Sequence, residues 1–346
     1  MKLILKMAVC GLAVFGLSSC NSLYDDLQPC EPPAASINLT FTMNMDFQDL
    51  FNRDVHCVDL YVFKKGGTLA GEYHAENTKS TRAVASTIYL QLEPGVYEAV
   101  VYGGMSCSLS SFDKLFAENS SLTKKDLEVA LNTSFYFDNS DETGDPQEHL
   151  ADHSALQIHD HFYGSIDEFS IGEIGSTPVT IDLTRNTNVI YVNMKNKDNT
   201  DIDINDYRVY IVDDNNTMDD TNDLTQSGLI AYRPYDKTNF VDSNNIPWAK
   251  SSFTVSRLHT SNDPELVVIN KEIGDSKPTL SGLNLMPYIM EAKAQLAPSM
   301  DDQEFLDRQY EWTVDVTLDV VNSTWVSITV KVNDWEVRFD NIEFNN

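Results

Sequence analysis

The last part of the chain alternates apolar and polar residues so regularly that it restricts the fold to layered β-structure. Residues 312–320, 326–332 and 335–339 each place an apolar residue at every second position. Successive side chains of a β-strand point to opposite faces, so each stretch predicts a strand with one buried face. Asn322 and Ser323 separate the first two stretches as a turn. Three such strands in succession form a meander whose apolar face needs a second sheet to cover it.

Strand patterns also dominate the preceding part of the chain. Residues 37–47 alternate without a break, and residues 55–63 are largely apolar, which is typical of a strand buried on both faces. Residues 88–92 and 96–102 flank Glu93-Pro94-Gly95, and this spacing predicts a hairpin. One short helix capped by Thr123 is indicated within 122–131. Further strands are predicted at 177–183, 188–194, 207–212, 265–269 and 287–296.

Short strands at regular spacing, separated by turn residues, predict an all-β chain built from β-sandwiches. The strands form two series, and the interval at 184–188 between them predicts a domain boundary. We therefore divide the chain into an N-terminal β-sandwich domain at 36–185 and a C-terminal β-sandwich domain at 186–346. The chain is long enough for two domains of ordinary size.

The first twenty residues have the pattern of a lipoprotein signal. Lys2 and Lys6 flank an apolar run that ends at Leu17-Ser18-Ser19-Cys20, a lipobox. We expect cleavage of a signal peptide at 1–19 and a lipid on the Cys20 thiol. A transmembrane anchor is the alternative, but the run falls short of the roughly 20 residues that cross a bilayer. Residues 20–35 are polar and rich in proline, and they predict a lipidated tether that connects the outer membrane to the folded body.

Charge and composition exclude some classes of partner. The formal net charge is −29, and removal of Lys2 and Lys6 makes the mature chain more negative still. A field of that sign repels phosphate, so nucleic acid is excluded as a partner. Hydrophobic residues make up 42% of the chain, which indicates a globular protein because a disordered chain of this charge would contain fewer.

Three cysteines, Cys30, Cys57 and Cys107, remain once Cys10 leaves with the signal peptide and Cys20 carries lipid. Export favours one disulfide, and the odd count leaves one thiol outside it. We expect Cys30 to belong to the pair, with Cys57 or Cys107 as its partner. The sequence leaves that choice open, because pairing depends on geometry.

Four histidines cluster in the middle of the chain. His149 and His153 would share a helical face, and His159 and His161 a strand face, so either pair has the types of ligand that bind zinc. Glu148 precedes His149, so the His-Glu-x-x-His arrangement of a metalloprotease is absent. Polar loop histidines without metal are the favoured interpretation, and a hydrolase with histidine-bound metal is the weakest hypothesis.

The acidic run at 213–223 offers oxygen ligands of the kind that calcium prefers. An EF-hand loop that starts at Asp213 would need glycine and glutamate where the sequence has Met218 and Leu224. A solvated connecting loop is therefore favoured. The chain also has no Gly-x-Ser-x-Gly, phosphate-binding glycine loop or Cys-x-x-Cys motif, so we predict no catalytic residue, no metal and no cofactor.

The tryptophans suggest one contact residue. Trp312 and Trp335 fall on the apolar set of their strands, which predicts burial. Trp325 is in phase with Ser327 and Lys331, so we expect it on the wetter face and in contact with a partner. An exposed aromatic cluster around Trp248 or Trp325 would suit a second hypothesis, a surface adhesin or glycan-binding lipoprotein.

Several motifs in a fixed order carry a resemblance to a known family. The lipobox precedes Leu23-Tyr24-Asp25-Asp26-Leu27 with Pro29-Cys30, then Leu60-Tyr61-Val62-Phe63 and Leu92-Glu93-Pro94-Gly95-Val96-Tyr97. His161-Phe162-Tyr163-Gly164 follows, and the chain closes with Phe305-Leu306-Asp307-Arg308, Trp325 and Val332-Asn333-Asp334-Trp335. Together these motifs resemble the FimB-type fimbrial anchor lipoproteins of Bacteroidales over nearly the whole mature chain.

The resemblance implies two transthyretin-like β-sandwich domains in tandem. It also implies a non-enzymatic lipoprotein of the outer membrane that holds the base of a fimbrium, limits its length and binds fimbrial shaft subunits. Polymers of this kind grow when an extended segment of one subunit completes the sheet of its neighbour. A first strand at 37–47 that stays in its own sheet would fit an end-cap, because the chain then has no strand to exchange.

Overall fold

The computed structural model describes residues 31–76, 84–107, 110–132, 157–225, 228–272, 280–319, 322, 324–332 and 335–340. Most of the regular structure in these residues is β-strand, as the alternating sequence predicts. Five sheets form in these ranges; four of them pack as two pairs, and the fifth consists of three strands of only two or three residues each. No helix in these ranges is long and apolar enough to cross a membrane.

The first pair of sheets comes from the strands up to Arg185. A three-stranded sheet, β4-β1-β9, packs on a five-stranded sheet, β10-β8-β5-β2-β3. The core between them includes Leu39, Phe41, Leu60, Val101 and Phe162, all fully buried. The strands are β1 (Ala34–Thr40), β2 (Cys57–Lys64), β3 (Leu69–Glu76), β4 (Thr87–Gln91), β5 (Gly95–Gly104), β6 (Phe112–Lys114), β7 (Val129–Leu131), β8 (His161–Ile171), β9 (Ser176–Asp182) and β10 (Thr184–Arg185).

The second pair comes from the strands after Asn186. A six-stranded sheet, β15-β16-β11-β19-β20-β21, packs on a four-stranded sheet, β14-β12-β17-β18. Ile190, Phe253, Trp312 and Val316 lie in the core between them. The strands are β11 (Thr187–Asn196), β12 (Tyr207–Asp213), β13 (Thr217–Met218), β14 (Ile230–Tyr232), β15 (Asp236–Val241), β16 (Pro247–Ser256), β17 (Glu265–Asn270), β18 (Leu280–Asn284), β19 (Glu311–Asp319), β20 (Thr324–Val332) and β21 (Trp335–Asp340).

Strand β2 is buried on both faces, as its apolar sequence predicts. Leu60 faces the first core, whereas Tyr61 and Phe63 join a cluster that continues into the second pair of sheets. Leu127 and Leu131, from the segment after β6, cover this outer face. The apolar run at 55–63 therefore reflects cover on both sides of the five-stranded sheet.

The two pairs of sheets are joined at Asn186 and along one small sheet. Strands up to Arg185 and strands from Thr187 lie in different large sheets. The small sheet β13-β7-β6 combines strands from both sides, with Thr217 opposite Ala130. We propose this crossing as the boundary between the two domains.

The structure differs from the sequence-based expectation in four predicted elements. The predicted hairpin at 88–102 is wrong, because β4 pairs with β1 whereas β5 pairs with β2 and β8 in the other sheet. Residues 92–94 therefore connect two sheets. The predicted strand at 287–296 is also wrong, because helix α2 (Met286–Leu296) occupies it. Met286, Ile289 and Ala292 are its buried residues, a helical spacing.

The third difference is the first strand, which ends at Thr40 although the alternation continues to Phe47. Asn44 is buried there and donates hydrogen bonds from Nδ2 to the carbonyl oxygens of Phe41 and Gln48. These bonds close a turn that ends the strand. The remaining helices are α1 (Phe51–Asp54) and α3 (Asp302–Arg308), and the helix expected near Thr123 is one 3₁₀ turn (Lys124–Asp126).

Candidate functional site

The first strand after the tether is held in the middle of its own sheet. β1 pairs with β4 on one side and with β9 on the other, over most of its length. Ala35, Ile37 and Leu39 point into the core and are 0% exposed. Because both edges and one face are occupied, β1 cannot leave without opening the sheet and the core together.

The segment that follows β1 contacts the second pair of sheets. Arg308, at the end of α3, donates hydrogen bonds from Nη1 to the carbonyl oxygens of Thr42 at 2.9 Å and Asn44 at 3.3 Å. Its guanidinium lies 4.5 Å from the ring centroid of Phe47. Helix α3 is fixed in turn, because Phe305 is fully buried and packs edge-on against Trp312. The turn after β1 is therefore held, through Arg308 and α3, against the core of the second pair of sheets.

Strand β15 forms an edge of the six-stranded sheet. It pairs with β16 on one side, and within the described ranges no strand pairs with its other side. Phe240 is 39% exposed and Val241 is 61% exposed, so this edge presents apolar side chains to solvent. An exposed apolar edge is a template for pairing with another chain.

A row of stacked side chains runs inward from this edge. The rings of Phe240 and Trp248 are nearly parallel, 7° apart, with centroids separated by 6.3 Å. The Lys195 ammonium lies 5.1 Å from the centroid of Trp248. In a second row the Lys250 ammonium lies 4.1 Å from the centroid of Tyr191. The cations are packed against rings, which leaves the outer side of Phe240 as the end of the first row.

The disulfide joins Cys57 and Cys107. Our expectation that Cys30 belongs to this pair is therefore wrong, and Cys30 lies outside the described residues. The register between β2 and β5 explains the pairing, because Cys57 lies opposite Gly104 and Cys107 follows three residues later. The two Cα atoms are 5.6 Å apart, within the usual range for a disulfide. Cys20, the expected lipidation site, also lies outside the described residues.

Trp325 does not lie where its phase predicts. The register of β19 and β20 shifts between Thr317 and Leu318, so that Ser327 lies opposite Thr317 but Trp325 lies opposite Leu318. Such a β-bulge places one extra residue in β20, which shifts the alternation of its side chains relative to β19. Trp325 is half-buried against the core, and contact with a partner stays a prediction. Trp312 is 1% exposed, as predicted, and its Nε1 donates to Asn188 Oδ1.

The described histidines do not form a metal site. His161 is buried between the rings of Phe112 and Tyr102, and burial lowers its pKa to about 4. His149 and His153 lie outside the described residues. Elsewhere in the described ranges Asp59, His74 and Cys107 lie close together, but the Cys107 sulfur belongs to the disulfide and cannot serve as a thiolate ligand.

A cleft of about 450 Å³ lies beside that disulfide and had no sequence signal, because β2, β3, the end of β6 and the segment after it each contribute to it. Lys114 lies 3.0 Å from carboxylate oxygens of both Asp59 and Glu118. Hydrogen bonds from Tyr61 and Lys114 lower the pKa of Glu118. Asp59, Lys114 and Glu118 each have partners inside the cleft, so the cluster is best explained as a structural network.

The acidic run at 213–223 is not the solvated loop that we expected. Asn215, Met218 and Asn222 are buried, and β13 lies within the run. Asp219 Oδ1 accepts hydrogen bonds from the backbone N–H groups of Thr221 and Asp223, which closes a turn. The run therefore packs between the two halves of the chain.

Solved structures share this fold over most of the chain. A putative adhesin from Bacteroides thetaiotaomicron has 25% sequence identity and a TM-score of 0.75, covering 91% of this chain and 100% of that one. A structure from the same organism, described as putative polysaccharide binding proteins, has 23% identity and a TM-score of 0.71, covering 90% and 99%.

The fimbrial anchor protein Mfa2 from Porphyromonas gingivalis has 15% identity and a TM-score of 0.62, covering 88% of this chain and 99% of that one. No curated protein sequence matches the chain. A family model described as fimbrillin-A associated anchor proteins Mfa1 and Mfa2 matches residues 27–341, nearly the whole sequence. This chain therefore belongs to the Mfa2 family of fimbrial anchor proteins, with an accessory role in the fimbrium at the cell surface.

Proposed function

We propose that this chain is a non-enzymatic lipoprotein of the outer membrane that anchors a fimbrium through lipid on Cys20 and limits its length. The observation that carries the proposal is the position of β1, paired on both sides and buried on one face. A shaft subunit that joins by strand exchange must give up or receive a strand. A chain whose first strand stays in place ends the polymer, and lipid just ahead of that strand fixes the end.

The docking edge that we propose is β15. It is an edge strand, it carries the exposed apolar side chains of Phe240 and Val241, and it lies in the half of the chain that is farther in sequence from the lipid. An extended segment of the first shaft subunit would add to this edge by main-chain hydrogen bonds. A side chain of the incoming strand would extend the row that ends at Phe240.

Deletion of the gene tests the anchor role. We expect cells without it to release fimbriae into the medium, or to carry overlong ones, as seen by immunoblotting and electron microscopy. A Cys20→Ala variant should leave the membrane fraction and fail to restore attachment. Normal attached fimbriae on the deletion strain would sink the proposal, and a Cys20→Ala protein that remained in the membrane would sink the lipid anchor.

Two matched substitutions test the docking edge. Val241→Lys places a charge on the proposed edge, whereas Tyr89→Lys places one on the exposed edge strand β4, where Tyr89 is 72% exposed. Charged side chains on an edge oppose strand addition. We expect Val241→Lys to reduce attached fimbriae and Tyr89→Lys to leave them unchanged. Equal attachment in both variants would place the docking surface elsewhere.

A glycan-binding adhesin is the second candidate, favoured by the exposed ring of Phe240 beside Trp248. One relative with this fold is described as a putative polysaccharide binding protein. Aromatic side chains offer apolar surface on which sugar rings pack. A glycan array with the purified mature protein and a Phe240→Ala variant tests this candidate. Binding that the variant loses would favour it, and no binding to any glycan would remove it.

A further inference from the structure

We propose that this chain is built to carry tension, and that its two longest load-bearing ladders, β1–β9 and β11–β16, are both pulled in shear. This inference rests on the proposed anchor function, because an anchor between a membrane and a fimbrium is stretched whenever the fimbrium is pulled. Tension then enters at the tether, ahead of β1, and leaves at the proposed docking edge, β15.

The covalent path through the first pair of sheets begins with β1 and leaves through β9 and then the two-residue strand β10. β1 and β9 are parallel neighbours, with Ala34 opposite Ser176 and Thr40 opposite Asp182. The tether pulls β1 from its N-terminal end. The rest of the chain pulls β9 from its C-terminal end, which lies at the opposite end of the ladder. The two strands are therefore drawn past each other along their own axes.

Direction decides how such a ladder fails. Strands that are pulled apart from the same end lose their hydrogen bonds one after another, so each bond meets the load alone. Strands that are drawn in opposite directions along their axes load all the bonds of the ladder together. The evenly spaced bonds of a parallel pair suit the second case, because no bond is isolated from its neighbours.

Side-chain hydrogen bonds join β1 and β9 at the C-terminal ends of the two strands. Asp182 accepts hydrogen bonds from Thr40 Oγ1 at 2.9 Å and from the backbone N–H of Thr42 at 2.8 Å, and the Thr42 hydroxyl also donates to it. The backbone N–H of Leu183 donates to the Thr40 carbonyl oxygen at 2.8 Å. These bonds lie where the load enters β9 from the second half of the chain.

The second pair of sheets repeats the arrangement with an antiparallel ladder. β11 begins directly after the crossing at Asn186, and Thr187 lies opposite Ser256 at the C-terminal end of β16. β16 connects through the turn at 242–246 to β15, so tension from the docking edge reaches β16 at its N-terminal end. That end lies beside Met194, far from Thr187. This ladder is therefore also drawn along its axis.

Single-molecule pulling of the mature chain, with a peptide handle in place of the lipid, tests the first ladder in two directions. A second handle at Asn244, in the turn after β15, reproduces the proposed load. A second handle at Ile174, in the exposed turn before β9, pulls β1 and β9 from the same end. We expect the β1–β9 ladder to open at a several-fold higher force in the first direction.

Asp182→Ala and Asp126→Ala form a matched pair of variants. Each carboxylate accepts bonds from a threonine N–H and hydroxyl, but Asp126 serves only the 3₁₀ turn after Thr123, outside the load path. Under constant load applied at Asn244, the β1–β9 ladder of Asp182→Ala should open about tenfold faster than that of the parent. A tenfold change in rate corresponds to a loss of ~1.4 kcal/mol. Asp126→Ala should open as the parent does. With the handle at Ile174, neither variant should change the first opening step, because Asp182 lies at the end of the β1–β9 ladder that opens last.

Equal opening forces in the two directions would overturn the proposal, and so would an Asp182→Ala effect of the same size in both. Growth under flow separates this inference from the anchor role. Asp182→Ala cells should keep fimbriae in still medium and shed more of them than Asp126→Ala cells under shear. Attachment that never depended on the gene would remove the anchor role, yet the difference between pulling directions would remain.

Discussion

Asn186 and Asn222 bind each other through two reciprocal amide hydrogen bonds, with Nδ2-to-Oδ1 distances of 2.6 Å and 3.0 Å. Asn186 is the residue at which the chain crosses between the two pairs of sheets, and it is fully buried. Asn222 has a backbone φ of 67°, in the left-handed region, and Arg257 donates to its carbonyl oxygen. The crossing is thus fixed by a side-chain pair that satisfies both amides.

Asn222→Gly should lower the free energy of unfolding by about 1–3 kcal/mol, because the buried amide of Asn186 loses its partner. Glycine accepts the positive φ, so the effect reports the side chain rather than backbone strain. Asn245→Gly is the control, since Asn245 has a φ of 60° in an exposed turn. Urea unfolding measures both. A loss of the same size in the control would show that the amide pair contributes nothing of its own.

Removal of the disulfide should destabilise the first pair of sheets. The bond closes a loop with a sequence separation of 50 residues, and loop-closure entropy predicts a loss of about 4 kcal/mol in the Cys57→Ala/Cys107→Ala variant. Thermal unfolding with and without a reducing agent checks this. The reductant should lower the midpoint of the parent to that of the variant. A midpoint of the parent that did not change with the reducing agent would contradict a stabilising disulfide.

Sequence patterns placed about half of the described strands, and alternation was the clearest of them, because a strand with one exposed face has a buried residue at every second position; β3, β8, β15 and β16 were not predicted. β11, β12, β19 and β20 lie where the pattern predicts them. The pattern says nothing about which strands pair. Pro94 and Gly95 suit a hairpin and a corner between sheets equally well, and β4 joins the other sheet because β1 pairs with it there.

The misplaced details of the candidate site share one cause, since each depends on a long-range register. The position of Trp325 follows from a bulge opposite Thr317 and Leu318, and the disulfide follows from the alignment of β2 with β5. Helix α2 was missed because residues 287–296 were assigned to a strand, although the first turn of a helix accepts proline. The open edge at β15 also follows only from the order of strands.

His161 should make the protein less stable in mild acid. Its folded pKa of about 4 is below the usual histidine value of 6.5 because burial disfavours the cation. Stability from this group is therefore complete above pH 6.5 and is lost as the pH falls toward 4. His161→Phe keeps an aromatic ring against Phe112 and cannot titrate. The free energy of unfolding of the variant minus that of the parent should be about 2 kcal/mol larger at pH 5 than at pH 7.5. Chemical unfolding at the two pH values measures this, and an unchanged difference would contradict it.

Asp213 should have the opposite pH dependence. Burial raises its pKa from 3.8 to about 6, the charges of Asp214 and Asp263 add to the rise, and its Oδ2 has no hydrogen-bond partner in the part of the chain that the structure describes. The folded protein therefore binds this proton more tightly than the unfolded chain does. The contribution of Asp213 to stability is therefore greatest below pH 3.8 and falls as the pH rises through about 6.

Asp213→Asn removes the buried charge and keeps an oxygen that accepts hydrogen bonds from the Asp214 N–H and the Asn262 amide. We expect it to raise the free energy of unfolding by about 3 kcal/mol at pH 7.5, with a gain that shrinks as the pH is lowered through 6. Asp201→Asn, at an exposed carboxylate whose charge does not act on Asp213, should change stability by less than about 0.5 kcal/mol at all three pH values given below. Urea unfolding at pH 7.5, 6 and 5 follows the trend. A gain that stayed constant with pH would mean that the Asp213 carboxylate is not the group that titrates, because only the loss of a raised pKa makes the gain depend on pH.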